Sequence, residues 1–458
     1  MGDYSAYKEI KLGDKMLSDR VEKTLEQLST NPSASISAAC KNRHQSKAVY
    51  RLAANKKFTA DAVIKVSRQE TIKRISESGS HVVLIPQDTT SLNYSGLKNT
   101  GGLGDINDNQ NNSGIMLHSA IAVSEKGQPF GLLAEKAWVR PKDELGKRRL
   151  RNHLPIEEKE SYKWLETLDS ANIANELEGV HFIHLCDREG DVYELFAKAD
   201  IEGATYICRR MRNRTVINEN EETLSIGIYL NTLPVAGELL IDVPRDSHTG
   251  RKARTARLEI RFGRTLIKKP SMLKKHENLP DTLEVNLVSV QEIDFSAGAE
   301  PISWQLITND KVETFEDAVT CVRRYTQRWK IETFHFVLKS GCAIEKLQIS
   351  TSEKLVKLIA LYSVIALQIM ILTFLARTNP DMSCEIAFDE DEWKILFKVA
   401  RKTKTAPNKP PTIYEAVIMI AELGGFLARK SDGFPGVSVI WRGLNSFYSI
   451  LEASKFLT

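Results

Sequence analysis

The stretch YTQRWKIETFHFVLKSG, residues 325–341, sets a phenol, two cations and an acid at helical spacing. With about 100° of turn per residue, Arg328, Glu332 and Lys339 fall near 300°, 340° and 320° from Tyr325, inside a stripe roughly 60° wide. A solvated face with i,i+4 pairs such as Arg328 with Glu332 has the same pattern. The alternative is one metal-holding carboxylate, Glu332, flanked by Tyr325, Arg328 and Lys339 as phosphate-gripping groups.

Two further acids each follow an apolar run. Asp88 closes VVLIPQD and Asp187 closes FIHLCD. Ligand sites in α/β sheets lie beyond strand ends, although aspartate also starts ordinary turns. Taken with Glu332, the two aspartates make a set of hard oxygen ligands. Such ligands suit Mg²⁺, with Mn²⁺ able to substitute. Two such ions about 3.5–4 Å apart activate a water and stabilise the leaving oxygen of a phosphodiester.

These side chains need elements to hold them. DKMLSDRVEKTLEQL and ADAVIKVSRQETIKRI read as helices, the second with Thr59 as N-cap. HVVLIPQD, GIMLHSAIAVS and PFGLLAEKAWV read as three successive strands. The helix EEKESYKWLETLDSA, the strand ending in Asp187, the helix VYELFAKA and the strand ATYICRR follow. This order predicts an α/β fold, a mixed sheet flanked by helices. Residues 211–303 form a strand-rich insertion, ISWQLITND returns as a strand, and 314–341 is one long helix. An amphipathic helix after a Gly/Pro break closes the chain.

Bulk properties narrow the function classes. The chain has 458 residues, 42% hydrophobic and 27% charged, with a formal charge of only +4. The cations cluster at 41–47, 146–153, 208–214, 251–257 and 273–275, a segregation that suits a polyanion partner. Six cysteines without a CxxC pair argue against a zinc ribbon or a disulfide framework and fit a reducing cytosol. No charged-then-apolar start marks a secretory signal. The apolar run 358–376 carries Tyr362, Ser363, Gln368 and Thr373, and is expected to be a buried core helix rather than a membrane span.

Rival chemistries have weaker support. His181 and His184 point to opposite faces of a strand, which disfavours zinc. His335 lies near the stripe and reads as a packed or solvated imidazole that could also assist. TGGLGD lacks the tail of a phosphate loop, and no GxSxG elbow occurs.

The blocks QDTTSLNYSG, CDREGDVYE and YTQRWKIETFHFVLKSGCAIEKLQ resemble the three acidic signature blocks of the IS4-type DDE transposases, the group that includes the Tn5 transposase. The third matches that group's Tyr, two residues, Arg, three residues, Glu, six residues, Lys. The resemblance runs from LGDKMLSDR to ELGGFLARK, nearly end to end. It implies an RNase H-like core with Asp88, Asp187 and Glu332 as the catalytic, metal-holding triad. It also implies a helical DNA-binding domain over 1–75, a catalytic domain over 76–375 with the β-insertion at about 211–303, and a helical dimerisation region over 376–458. Double-stranded DNA, as terminal repeats and as target, is the implied partner of a cytoplasmic homodimer that touches no membrane. The implied activity is cut-and-paste cleavage of transposon ends, commonly through a hairpin, and joining to target DNA.

Trp304 resembles a tryptophan used near a flipped base, and Arg209 a DNA-contacting arginine. A core-strand tryptophan and a solvated charge are the ordinary alternatives. Thr333 stands where some relatives carry a second acid, and Phe336 where a cation can occur, which bears on fine DNA contacts. A catalytically silent end-binding protein or inhibitor, and a nuclease that cuts without joining, remain the competing functions.

Overall fold

The structure is a computed structural model that describes residues 3–40, 42–107, 112–141, 154–173, 176–243, 253–273, 278–295, 300–429 and 432–454. The basic cluster 146–153, Lys41, Arg251, Lys252, Lys274 and Lys275 lie outside the described residues or within gaps between them. The chain divides into two compact units. The first comprises Met1–Gly79, Thr89–Gly146 and Lys330–Thr458; the second comprises Ser80–Asp88 and Lys147–Trp329.

The first unit opens with helices α1 (Lys15–Thr30), α2 (Ile36–Ala39), α3 (Arg43–Ala54) and α4 (Ala60–Ser78). Their starts are written in side chains that accept orphan backbone N–H groups: Asp14 from Met16, Ser35 from Ala38, Asn42 from Gln45 and Thr59 from Ala62. Gly79, at φ 65°, ends α4 in the left-handed conformation that glycine adopts at least cost. Strand β1 (Val82–Asn93) runs through both units, and β2 (Gly104–Asp105), β3 (Ser113–Ser124) and β4 (Pro129–Trp138) belong to the first. Strands β3 and β4 pair antiparallel. Helix α4 lies on β4, where the Thr71 hydroxyl donates to the Leu132 carbonyl at 3.2 Å and Arg74 to the Phe130 carbonyl at 2.7 Å.

The second unit carries the start of β1 with β5 (His181–Cys186), β6 (Thr205–Arg209), β7 (Thr215–Ile217), β8 (Thr223–Ser225), β9 (Gly237–Val243), β10 (Arg254–Lys268), β11 (Thr282–Ile293) and β12 (Ser303–Thr308). Their order is β1-β5-β6-β12-β11-β10-β7-β8, with β9 on β10. Strands β1, β5 and β6 are parallel, and β12 joins β6 antiparallel. Helices α5 (Tyr162–Ala171) and α6 (Tyr193–Glu202) close a core in which Trp164 and Phe196 are fully buried. The Phe196 ring stacks on Tyr206 with centroids 4.7 Å apart. The insertion is strand-rich as expected, but it also holds a short helix, α7 (Ile226–Thr232), started by the Ser225 hydroxyl.

The expected single helix over 314–341 is interrupted. Helix α8 (Phe315–Thr326) starts in a Thr314–Asp317 capping box. It ends where Gln327 and Arg328 donate to Arg324 and Tyr325, a three-residue spacing that tightens the turn. Helix α9 (Trp329–Phe336) follows in the first unit from Lys330 on, and passes into a π turn over Val337–Gly341. A constant 100° step therefore does not hold across 325–339, and the narrow stripe expected from sequence is not one regular helical face.

The rest of the first unit is helical: α10 (Ser352–Thr378), α11 (Glu390–Arg401), α12 (Ile413–Leu423) and α13 (Val437–Ser454). Helix α10 is long and apolar enough to cross a membrane, but 78% of its most apolar window is buried within the structure, as the core-helix expectation requires. The acidic FDEDEW leads into α11, where Asp389 and Glu392 form a capping box.

Candidate functional site

The site is built on the parallel pair β1 and β5 of the second unit. Pro86 pairs with Leu185, so Asp88 and Asp187 each lie two residues past the last recorded partners of the β1–β5 pair. Strands in a sheet stand about 4.8 Å apart. One sequence expectation is corrected here. Asp88 does not end its strand; β1 continues to Asn93, and Asp88 sits where the recorded pairing with β5 has stopped. Asp187 does leave its strand, and its carboxylate accepts the Glu189 N–H at 2.8 Å, starting a short 3-10 turn over Arg188–Gly190. Beneath the pair, Gln87 Nε2 lies 3.3 Å from His184 Nδ1. Burial pushes the His184 imidazole down to about 4, so it packs neutral. His181 instead meets the Thr205 hydroxyl at 2.9 Å, so the two histidines serve different partners.

The charge balance at the aspartates is local. Arg328 donates to the Asp88 carboxylate at 3.1 Å, with both side chains less than one-fifth exposed. Its guanidinium lies 5.5 Å from the centroid of the Trp329 ring. Burial holds the Asp187 carboxyl above its ordinary value, while the Glu189 N–H and the Arg328 charge pull the other way. The neighbouring thiols of Cys186 and Cys208 are buried and held protonated by desolvation, so neither offers a thiolate.

Arg209 ends β6 and donates to the Ser303 carbonyl at 3.0 Å. Partial burial lowers its pKa, with Arg188 nearby adding to the effect. Trp304, half-buried on β12, meets Tyr325 edge-on with ring centroids 5.6 Å apart. Tyr325 is 4% exposed, and desolvation raises its phenol well above the ordinary range. Its ring thus supports Trp304 rather than standing in solvent. The second unit therefore gathers Asp88, Asp187, Arg209, Trp304, Tyr325 and Arg328.

Glu332, His335 and Lys339 belong to the first unit. Glu332 is half-buried in the first turn of α9, and Lys339 lies in the π turn. His335 is buried, and desolvation with the Lys339 charge pushes it down to about 3, so it is a packed neutral imidazole. Among the described residues no three His, Cys, Asp or Glu side chains are grouped to hold a metal ion. Asp88 and Asp187 nevertheless suit a divalent ion. They are oxygen donors, each two residues beyond the last recorded β1–β5 partners.

Sequence reasoning missed Asp191. It is 1% exposed, and its carboxylate accepts Arg214 Nε at 2.8 Å and the backbone N–H groups of Met211 and Arg212 at 2.8 and 2.6 Å. This clamp fixes the basic loop 210–214. The only sequence signal was the second acid of CDREGD, indistinguishable there from a surface charge. The structure also separates the basic clusters. Arg254 is paired with Glu292, and Arg257 with Glu238 and Asp294, so the described arginines of 251–257 are already neutralised.

Two family models match segments of the chain on either side of these residues. Residues 5–58 match the transposase DNA-binding family model, covering α1 to α3. Residues 364–458 match the transposase Tn5 dimerisation domain, from within α10 to the C-terminus. A domain that binds DNA and a domain that pairs two copies thus bracket the β1–β5 aspartates in the chain. These two matches support a Tn5-like transposase of the IS4 type.

Proposed function

We propose that this transposase works by cut-and-paste, with Asp88, Asp187 and Glu332 as its catalytic carboxylates. The observation that carries the reading is that Asp88 and Asp187 each follow the last recorded partners of the parallel β1–β5 pair by two residues. The order β4-β3-β1-β5-β6, with β1, β5 and β6 parallel, supports an RNase H-like core. The domain plan is a DNA-binding unit over 1–75, a catalytic part over 76–375 and a dimerising part over 376–458. The enzyme acts as a homodimer in the cytoplasm, associated with the nucleoid when bound to DNA.

Asp88 and Asp187, with Glu332 from the signature helix, would hold two Mg²⁺ ions, or Mn²⁺ in their place. Such ions, when bound, lower the pKa of a water and stabilise the leaving oxygen. The chain's own groups do the rest. Arg328 orients the Asp88 carboxylate through their 3.1 Å contact. Arg209, Arg328 and Lys339 contact phosphates, and Tyr325 holds Trp304 for an extruded base at the hairpin. Water cuts the first strand; the freed 3′-hydroxyl attacks the opposite strand, closing a hairpin and releasing the flanking DNA as its 3′-hydroxyl; a second water opens the hairpin, and the regenerated 3′-hydroxyl then attacks the target. The N-terminal helices read the terminal repeats.

The test is Asp187→Asn, because asparagine keeps an oxygen for the Glu189 N–H and so preserves the turn. Wild-type protein with Mg²⁺ should nick, hairpin and join DNA bearing the ends of its own element. The variant should bind those ends and release no 3′-hydroxyl. Mg²⁺-dependent nicking by the variant at the wild-type rate would refute the assignment. Cutting by the wild type without joining identifies a nuclease, and binding without cutting a silent end-binding protein.

A further inference from the structure

A cleft of about 510 Å³ opens on the second unit, away from the β1–β5 pairing, between the turn before α5, the loop joining β6 to β7 and the end of β10. Lys159, Arg212, Arg214, Lys268 and Lys269 line it, and Glu194 is the one acid among its lining residues. Two of those cations are already neutralised. Arg214 is locked to buried Asp191, and Lys269 lies 3.0 Å from Asp281 while donating to the Leu279 carbonyl. Lys159, Arg212 and Lys268 have no carboxylate within ion-pair distance among the described residues. Three cations without an ion-pair partner face one acid, a local excess of positive charge that attracts an anion.

We propose that this cleft binds the sugar–phosphate backbone of DNA. Its chemistry distinguishes backbone from nucleotide. The one aromatic ring in its wall, Tyr193, is 1% exposed, and its hydroxyl donates to the Pro280 carbonyl at 2.8 Å. No ring is presented for a base to stack on, so the cleft offers charge and hydroxyl donors without base recognition.

The cleft is also tied to the candidate active site. Asp191 closes the short turn that begins at Asp187, and it accepts the Arg212 backbone N–H at 2.6 Å. The Arg212 side chain donates in turn to the Asp191 carbonyl at 3.2 Å. A phosphate held by Arg212 therefore stands in fixed register to Asp187, so the cleft locates a strand relative to the carboxylate. The proposal rests on the reading of the chain as a DNA-cutting transposase.

The experiment compares the full-length chain with the triple variant Lys159→Gln, Arg212→Gln, Lys268→Gln. The probe is a fluorescein-labelled mixed-sequence DNA duplex across a salt series, with ATP and inorganic phosphate as competitors. Each lost phosphate contact should lower the slope of log K against log salt by about 0.9, so the triple variant should lose roughly 2–3 from the slope and ten- to a hundredfold in affinity. Circular dichroism and melting should match the wild type, and Arg212→Gln alone should lower the slope by about 1. Unchanged affinity and slope in the folded triple variant overturns the proposal. So does loss of ATP or phosphate binding with duplex binding intact, which would mark a small-anion site. Parallel cleavage assays separate the two readings. Mg²⁺-dependent cutting by the wild type with an unchanged slope in the triple variant sinks the cleft alone; a reduced slope in the triple variant, with a wild type that never cuts, sinks the transposase mechanism alone.

Discussion

Arg328 and Asp88 are 240 residues apart in sequence and 3.1 Å apart in space, and this contact sets the charge of the candidate site. The guanidinium also lowers the pKa of Asp187. Removing it takes away the ion-pair partner of Asp88 and a charge that favours the ionised Asp187 carboxylate. Arg328→Ala should slow first-strand cleavage roughly a hundredfold while DNA-end binding changes far less, and Arg328→Lys should recover part of the rate. Cleavage by Arg328→Ala at the wild-type rate, measured on a labelled end, would remove Arg328 from the mechanism.

Asp191 and Arg214 form an ion pair with side chains 0% and 4% exposed, backed by the Phe196 ring 5.4 Å from the guanidinium. Breaking one side strands a buried charge. Asp191→Ala should therefore destabilise the fold by about 3–5 kcal/mol, and Asp191→Leu with Arg214→Met should recover much of that loss. Denaturant unfolding checks both; equal stability of Asp191→Ala and wild type would show the pair to be idle.

Glu135 gives the pH dependence a sign. Burial pushes its carboxyl up from 4.5 to about 8, with the Ser363 and Ser119 hydroxyls pulling the other way. The folded chain thus holds a proton that the unfolded chain has released between those values. Its contribution to stability is present below about pH 4.5 and is lost as pH rises towards 8. Glu135→Gln should match the wild type in acid and melt higher above pH 8. A constant difference in Tm across that range would show that Glu135 does not titrate there.

Gly131 marks a close approach of β4 to α4. A Cβ built at Gly131 would sit 1.8 Å from the Thr71 hydroxyl oxygen. Gly131→Ala should cost about 1–3 kcal/mol, and less in a Thr71→Ala background, because the clash is with that side chain. Additive losses in the double-mutant cycle would place the strain elsewhere.

Much of the scaffold was legible locally. The Thr59 cap, the strand order from β1 to β6 and the buried α10 follow from period, capping chemistry and apolar run length, all short-range properties. The helix over 314–341 was misjudged because periodicity cannot report a tightened turn at 327–328 or a π turn at 337–341. Both keep helical composition while changing the angle per residue.

The sequence alone determined which groups are able to do chemistry: Asp88 and Asp187 behind apolar runs, and Tyr325, Arg328, Glu332 and Lys339 at fixed spacing. Only tertiary structure decided what each one meets. It buried Tyr325 beneath Trp304, gave Arg328 to Asp88, neutralised Arg254 and Arg257, and left Lys159, Arg212 and Lys268 facing one cleft. The physical reason is that charge compensation and desolvation depend on neighbours brought together across the chain, whereas spacing along it records only what a residue could do.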